Sequence, residues 1–359
     1  MKSLEQSSIQ IIKANQAASG AYIASPAFSQ YGYSWLRDGM WIAHSMDAVG
    51  EHASAAAFHR WVERTILRYE QHINALLGKL DRKEPISDVD LLPTRFTLDG
   101  DLGSDVWTDF QLDGYGAWLW GVVQHCRTVD AALWDEMRPA VRLVVRYLDA
   151  LWMMPNYDCW EEFRDEIHIS TLAALYGGLA AVQSFEAALV PDGLIEKIRS
   201  YTLENGVSPN GHFIKFLGNA NVDASLLWVA LPFGLVDIHD PRFLRTVEKI
   251  EQDILRLGGG VYRYCADNYF GGGEWLLLTC WLAWVYLRLN RLDEARRLMR
   301  WVEEQARPNG EMPEQVSAHT LDPAQYQPWV ERWGNPACPL LWSHAMYLIV
   351  QTELDTFEK

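Results

Sequence analysis

Two kinds of apolar pattern take turns along this chain. In 291–306, Leu292, Ala295, Leu298, Met299 and Val302 recur on one helical face, and Arg296, Arg297, Glu303 and Glu304 lie largely off it. In Trp275-Leu276-Leu277-Leu278-Thr279-Cys280-Trp281-Leu282-Ala283-Trp284-Val285 the apolar residues run nearly all round, which requires burial on every side. The first kind predicts amphipathic helices near 4–17, 51–74, 128–152, 190–203, 240–256 and 291–306. The second predicts buried helices near 36–49, 109–126, 168–187, 221–233, 273–290 and 338–354. Convincing strands with period-two alternation are nearly absent. Strict alternation of the two kinds predicts an all-α fold of two concentric rings with the buried helices inside, an (α/α)6 barrel or six-hairpin toroid, as a single domain over 1–359. A helical solenoid would repeat sequence signatures, and none is present beyond the hydrophobic alternation.

The connections are unequal. Outer-to-inner links are long, about 75–108, 154–167, 204–220, 257–272 and 307–337, whereas inner-to-outer links such as Gly50 or Asn290 take one or a few residues. In an alternating barrel the long links all emerge at one end, and long ordered loops usually carry function. The crater they would build collects the residues of chemical interest. Tyr31 through Trp35, Arg37 and Asp38 precede or open one buried helix, and Trp107, Gln111 and Asp113 another. Asp158-Cys159-Trp160-Glu161-Glu162-Phe163 lies in a third link, read as the head of a helix. Arg263-Tyr264, Tyr269 through Trp275, Pro313-Glu314-Gln315 and Trp342-Ser343-His344 complete the set.

Composition narrows the classes of partner. A net charge of −16 argues against nucleic-acid and anionic membrane surfaces, which need clustered Lys and Arg, and suits an uncharged substrate. The start, Met1-Lys2-Ser3-Leu4-Glu5-Gln6, is too polar for a secretory leader, and no stretch has the uninterrupted apolar length of a membrane span, so a soluble cytoplasmic protein is expected. Cys126, Cys159, Cys265, Cys280 and Cys338 are odd in number and scattered, which implies free thiols. None of the ten His stands at metal-ligand spacing, and neither metal nor cofactor is expected. The 17 Trp can stack on sugar rings or fill helical cores, and position must decide between these uses.

Carboxylates among aromatic side chains suggest acid–base work. Apolar neighbours disfavour the ionised form of Glu161 or Glu162, and each disfavours the other's charge, so one of the two could keep its proton near neutrality. The simpler alternative is a helical first turn that welcomes negative charge. Arg37, Asp38 and Arg263 offer charge-assisted hydrogen bonds to hydroxyls, and the Trp and Tyr faces offer stacking, so a polyhydroxylated ligand fits the crater. Two carboxyl groups across such a pocket are the equipment of glycoside hydrolysis, with Glu161 as proton donor. Glu314 and Glu311 compete for the second role on these grounds. Ser343 and His344 are no nucleophile pair, because adjacent helical residues point about 100° apart. His44 and His168 are read as core or supporting histidines, and Gly271-Gly272-Gly273 as backbone passing close to the ligand.

Taken in order, the blocks Tyr31 through Trp35-x-Arg37-Asp38, Trp107 with Gln111-x-Asp113-Gly114, Trp160-Glu161-Glu162, Asp223-Ala224-Ser225-Leu226-Leu227, Arg263-Tyr264 through Trp275, Pro313-Glu314-Gln315 and Trp342-Ser343-His344-Ala345 resemble the glucoamylase family, glycoside hydrolase family fifteen, over about residues 10–350. The resemblance implies an (α/α)6 barrel and an exo-acting enzyme that releases glucose from non-reducing ends of α-glucosides with inversion. Glu161 would then be the general acid and Glu314 the general base. Arg37, Asp38, Glu162 and Arg263 would hold substrate hydroxyls, and Trp35, Trp107, Trp160 and Trp275 would line the pocket. Tyr31 would stand near the catalytic water. Inversion needs carboxyl groups about 6.5–9.5 Å apart. The absence of a segment resembling the β-sandwich or starch-binding modules of relatives leads to the expectation of an oligosaccharide or disaccharide substrate. Oligomeric state is not legible. A trehalase or isomalto-oligosaccharide glucosidase, an inverting phosphorylase and a non-catalytic sugar-sensing barrel are the alternatives. Retention of Glu161, Glu162 and Glu314 weighs against the last, and Glu314, where a phosphorylase needs an anion pocket, against the phosphorylase.

Overall fold

The computed structural model describes residues 3–105, 107, 109–256 and 258–357; Met1 and Lys2, where the leader reading began, lie outside them. The chain opens with α1 (Leu4–Ala14), whose Ser3 cap and Gln6 satisfy each other's backbone N–H groups. There follow α2 (Leu36–Ala48), α3 (His52–Arg68), α4 (Glu70–Asp81), α5 (Asp113–Thr128), α6 (Leu133–Leu151), α7 (Ile169–Phe185) and α8 (Leu194–Asn205). A 3-10 segment, Ala224–Val229, precedes α9 (Pro241–Asp253), α10 (Leu276–Arg288), α11 (Leu292–Glu304), α12 (Pro323–Trp333) and α13 (Leu341–Phe357).

The two kinds of helix sort as their patterns require. α2, α5, α7, the 3-10 segment, α10 and α13 touch in that order, and α13 closes on α2. Outside this ring α1 lies on α13, α3 on α2, α6 on α5, α8 on α7, α9 on the 3-10 segment and α11 on α10. Leu276 through Leu287 of α10 are all buried, whereas α11 buries only Ala295, Leu298, Met299 and Val302. Inner neighbours α5 and α7 meet backbone to backbone. A Cβ placed on Gly178 would stand 2.1 Å from the Gly116 carbonyl oxygen, so no larger residue fits there. The barrel axis is filled by Trp41, Trp228, Trp281 and Trp284, with centroids 5.0–6.5 Å apart. For these four tryptophans, core filling is the answer.

Four expectations are corrected. The amphipathic run over 51–74 breaks at Tyr69 into α3 and α4, and α4 continues to Asp81. The fourth inner position is not an α-helix over 221–233 but six 3-10 residues, ended before Pro232, which has no N–H to extend a helix. The 307–337 link contains α12, capped by Asp322 with Pro323 in its first turn. Finally, Gly272 and Gly273 are crowded by protein backbone rather than aimed at a ligand. A Cβ on them would meet the carbonyl oxygens of Asp267 at 2.3 Å and Val316 at 2.5 Å.

Two short ladders sit at the inner helices' N-terminal end. β1 (Ser34–Trp35) pairs antiparallel with β2 (Arg95–Phe96), and β3 (Glu274–Trp275) with β4 (Gln315–Val316). Each first strand runs directly into an inner helix, so the ladders fix Trp35 and Trp275 at the barrel mouth and place Glu314 one residue before Trp275's partner Gln315. No helix among the described residues is long and apolar enough to cross a membrane.

Candidate active site

The long links meet over one cavity of about 550 Å³. Its lining includes Tyr31, Trp35, Arg37, Asp38, Trp107, Trp160, Glu161, Glu162, Arg263, Trp275 and Glu314, so these eleven candidates named from the sequence reach the same space. Glu311 does not line it. It is half-buried beside Arg307 at 3.7 Å, whereas Glu314 reaches the cavity.

Glu161 stands on a turn and not at the head of a helix, since α7 begins only at Ile169. Asp158 builds the turn: its Oδ1 accepts from the backbone N–H of Trp160 at 3.0 Å and of Glu162 at 2.9 Å. The turn puts Glu161 at φ 66° and Phe163 at φ 55°, the left-handed region that costs a residue with a Cβ of order 1 kcal/mol. Support comes from below. Lys215 Nζ bridges Asp158 Oδ2 at 2.9 Å and Asp223 Oδ2 at 2.5 Å, and Trp160 Nε1 donates to Asp223 Oδ2 at 2.9 Å. All four side chains are buried. Lys215 was missed in the sequence, although a lone Lys within Phe213-Ile214-Lys215-Phe216-Leu217 is a signal for a buried ion pair.

Trp35 Nε1 donates to Glu161 Oε1 at 2.6 Å. Burial pushes the Glu161 carboxyl up to about 7, while Arg37 and the Trp35 bond oppose the rise. Asp38 is the carboxylate that adds to it. The expectation that Glu162's charge keeps the proton on Glu161 is replaced, because Glu162 turns away to Arg263 Nη2 at 3.2 Å and to the Tyr264 hydroxyl. Glu314, 2% exposed, is likewise pushed up to about 7 by burial, against the opposing effects of the Tyr31 bond and Arg263. The Tyr31 hydroxyl donates to its Oε1 at 2.9 Å and lies 3.0 Å from the Tyr269 hydroxyl. Its other oxygen, Oε2, is buried without a hydrogen-bond partner in the protein, the position from which a carboxylate can take a proton from bound water.

The hydroxyl-binding candidates form two sets. Arg37 donates to Gln111 Oε1 at 2.8 Å and Asp113 Oδ2 at 3.1 Å, with its Nε 3.3 Å from Asp38 Oδ2. That Asp38 oxygen has no hydrogen bond, and burial raises the carboxyl to about 6. Arg263 is held by Asp267 through Nε at 2.8 Å. The indole N–H groups of Trp107, Trp275 and Trp342 are buried and unbonded in the same cavity, three donors for sugar oxygens. Trp329, Arg332 and Trp333 of α12 form a further wall that the sequence reading did not foresee, and Arg164 pairs with Asp88 on the rim.

Around this cavity of carboxyls and aromatic side chains, residues 2–351 match the family model of the glycosyl hydrolases of family 15. The chain belongs to that family. Within family 15 it is similar to an isomaltose glucohydrolase of Kribbella flavida, 43% identical over 98% of this chain and 92% of that protein. It is also similar to a trehalase of Thermoplasma acidophilum, 24% identical over 81% of the chain, of whose length it spans 52%. A glycosidase solved in its wild-type form has a TM-score of 0.94 at 42% identity over 98% of this chain and 96% of that one, and a variant of such a glycosidase solved with glucose scores 0.93. A bacterial glucoamylase complexed with acarbose shares the fold, with a TM-score of 0.71 at 20% identity. As a family-15 member, the protein is a glycoside hydrolase.

Proposed function

We propose that this enzyme removes single glucose units from the non-reducing ends of short α-gluco-oligosaccharides by an inverting mechanism, with isomaltose as the preferred substrate. The observation that carries the reading is the pair of carboxyls, half-buried Glu161 and buried Glu314, in one aromatic cavity of a family-15 chain. The protonated Glu161 gives its proton to the glycosidic oxygen, and the ionised Glu314 takes one from the attacking water through Oε2. Tyr31 holds Glu314, and the Asp158–Lys215–Asp223 cluster holds the turn that carries Glu161. Arg37, Asp38, Glu162 and Arg263 supply the charge-assisted bonds that orient the terminal ring.

Preference for a short substrate rests on the closed side of the site. Trp329 and Trp333 of α12 line the cavity, and α12 is fixed by packing of Trp329 on Tyr269 and Phe270 at 5.0 and 5.9 Å. The α-1,6 linkage follows the Kribbella relative, which is matched over nearly its whole length. Trehalose is the second reading, favoured by the trehalase relatives at 21–27% identity. Glucose release from maltose, isomaltose, trehalose, dextran and soluble starch decides between them: isomaltose should lead and starch trail. Glu161→Gln and Glu314→Gln should each lower hydrolysis by a factor of about 10² to 10⁴ in a folded protein. Wild-type rates in both variants, or initial α-glucose by proton NMR, would overturn the mechanism.

A further inference from the structure

Behind the wall formed by Trp35 and Trp107 lies a buried guanidinium, that of Arg95, which does not itself line the cavity. Arg95 stands in β2 directly opposite Trp35 in β1, so the two side chains share one face of the ladder. Its guanidinium carbon is 3.9 Å from the ring centroid of Tyr33, 4.0 Å from that of Trp107 and 5.3 Å from that of Trp35. The rings also meet one another edge to face, Trp35 and Trp107 at 6.3 Å and Tyr33 and Trp35 at 6.5 Å. A single cation thus sits among three aromatic side chains, two of which face the cavity.

The polar edge of the same guanidinium is fully engaged in another direction. Nη1 donates to the Gln30 carbonyl at 2.9 Å, and Nη2 donates to Asp105 Oδ2 at 2.6 Å. The Tyr33 hydroxyl donates to the other oxygen of Asp105 at 2.8 Å. Asp105 lies two residues before Trp107, so Arg95 grips this link twice, by a carboxylate and by an indole face. A planar, delocalised cation can stack on rings and donate from its edge at the same time, which an ammonium cannot do. The two tryptophans held in this way are not passive. Trp107 presents an unbonded N–H in the cavity, and Trp35 donates its own to Glu161 at 2.6 Å.

We propose that Arg95 is a positioning residue for the acid half of the site, one that fixes Trp107 and Trp35 through its ring contacts and its grip on Asp105. The proposal rests on Glu161 as proton donor. Two separable effects follow. The stack and the fork decide where Trp107 stands, which substrate binding reads. The charge acts on the acid: burial raises the Glu161 carboxyl, and Arg95 is among the groups that oppose the rise, after Arg37 and the Trp35 bond. The hint in the sequence is a lone charge within Leu91-Leu92-Pro93-Thr94-Arg95-Phe96-Thr97-Leu98.

Arg95→Met removes charge, fork and planarity together, and the Asp105 side chain, 37% exposed, can be hydrated in its place. With one wall of the site displaced, kcat/KM for isomaltose should fall about 10- to 100-fold, mainly through KM. The basic limb of its pH profile should move to higher pH, because Glu161 then keeps its proton longer. Arg95→Lys retains the charge without the fork, so the limb should return to its wild-type place while KM stays raised. Asp105→Asn loosens the grip but leaves Arg95 charged and stacked; it should raise KM with the limb in place, and it serves if the Arg95 variants fail to fold. Amide exchange over residues 99–105, measured without substrate, should quicken in all three variants. An unmoved limb in folded Arg95→Met, or wild-type KM and exchange in the folded variants, would overturn the proposal. An error in the proposed function is distinguishable, since it would show as wild-type hydrolysis by Glu161→Gln and would leave the exchange result standing.

Discussion

Replacing Glu161 with Gln is expected to stabilise the protein above neutral pH and to do nothing for it in acid. The folded carboxyl sits at about 7 where an unburied one sits at 4.5, with burial as the main cause. Between those values the folded chain holds a proton that the unfolded chain has released, so stability falls as pH rises through this window and the full cost is present above it. At about 1.4 kcal/mol per pH unit, the gap amounts to on the order of 3 kcal/mol. Gln keeps the volume and an oxygen able to accept the Trp35 N–H, so packing and the 2.6 Å bond survive the change. With an unfolding entropy of about 2.1 cal/mol/K per residue, the gain corresponds to roughly 4 °C in melting temperature. Calorimetry of both proteins at pH 8 and pH 4 is the assay. A rise of the same size at both pH values, or a lower melting temperature at pH 8, would refute the account of Glu161 as a carboxyl held protonated by burial.

The remaining predictions concern the groups around the two carboxyls. Trp35→Phe removes a donor to ionised Glu161, so the basic limb of the pH profile of kcat/KM should rise by about one unit, given about 1.5–3 kcal/mol for a hydrogen bond to a charged group. Tyr31→Phe does the same to Glu314, which must be ionised to act, so here the acidic limb should rise by a similar amount; an unmoved limb in either variant counts against its assigned role. Lys215→Met leaves Asp158 and Asp223 buried without their cation and should cost about 3–5 kcal/mol, read as a lower urea midpoint together with reduced kcat. Trp329→Ala should lower stability modestly through the lost packing on Tyr269 and Phe270, and should raise KM for isomaltose more than for longer oligosaccharides; an unaltered ratio would remove α12 from substrate selection.

Much of the architecture was legible because each helix writes its own surroundings into its apolar pattern. α10, buried all round, and α11, buried on one stripe, could be assigned to inner and outer rings without any knowledge of their neighbours. α12 could not be read this way, since none of its residues is fully buried, and only its Asp322-Pro323 start marked it. The apolar run before Pro232 carried the signal of burial but not the length that an α-helix needs. At the site, the composition of the loops pointed to Glu161 and Glu314, and distance along the chain was no guide, as Trp35 and Glu161 meet across 126 residues. The source of the raised Glu161 pKa is hidden in the sequence for the same reason. Adjacency in sequence suggested Glu162, whereas Arg263 and Tyr264, about a hundred residues on, draw that carboxylate aside.

The 3-10 segment has a consequence for how the enzyme comes apart. Asp223, its cap, bonds Ser225 within the segment and also Lys215 and Trp160 beneath the acid's turn. The 3-10 segment and the turn carrying Glu161 therefore share one fastening, and a local opening of the first releases the second. Amide exchange of the backbone N–H of Ser225 and of Trp160 should follow a single opening free energy, below that of α10. In mild denaturant, catalysis should fade with that sub-global opening while the rest of the ring is still folded.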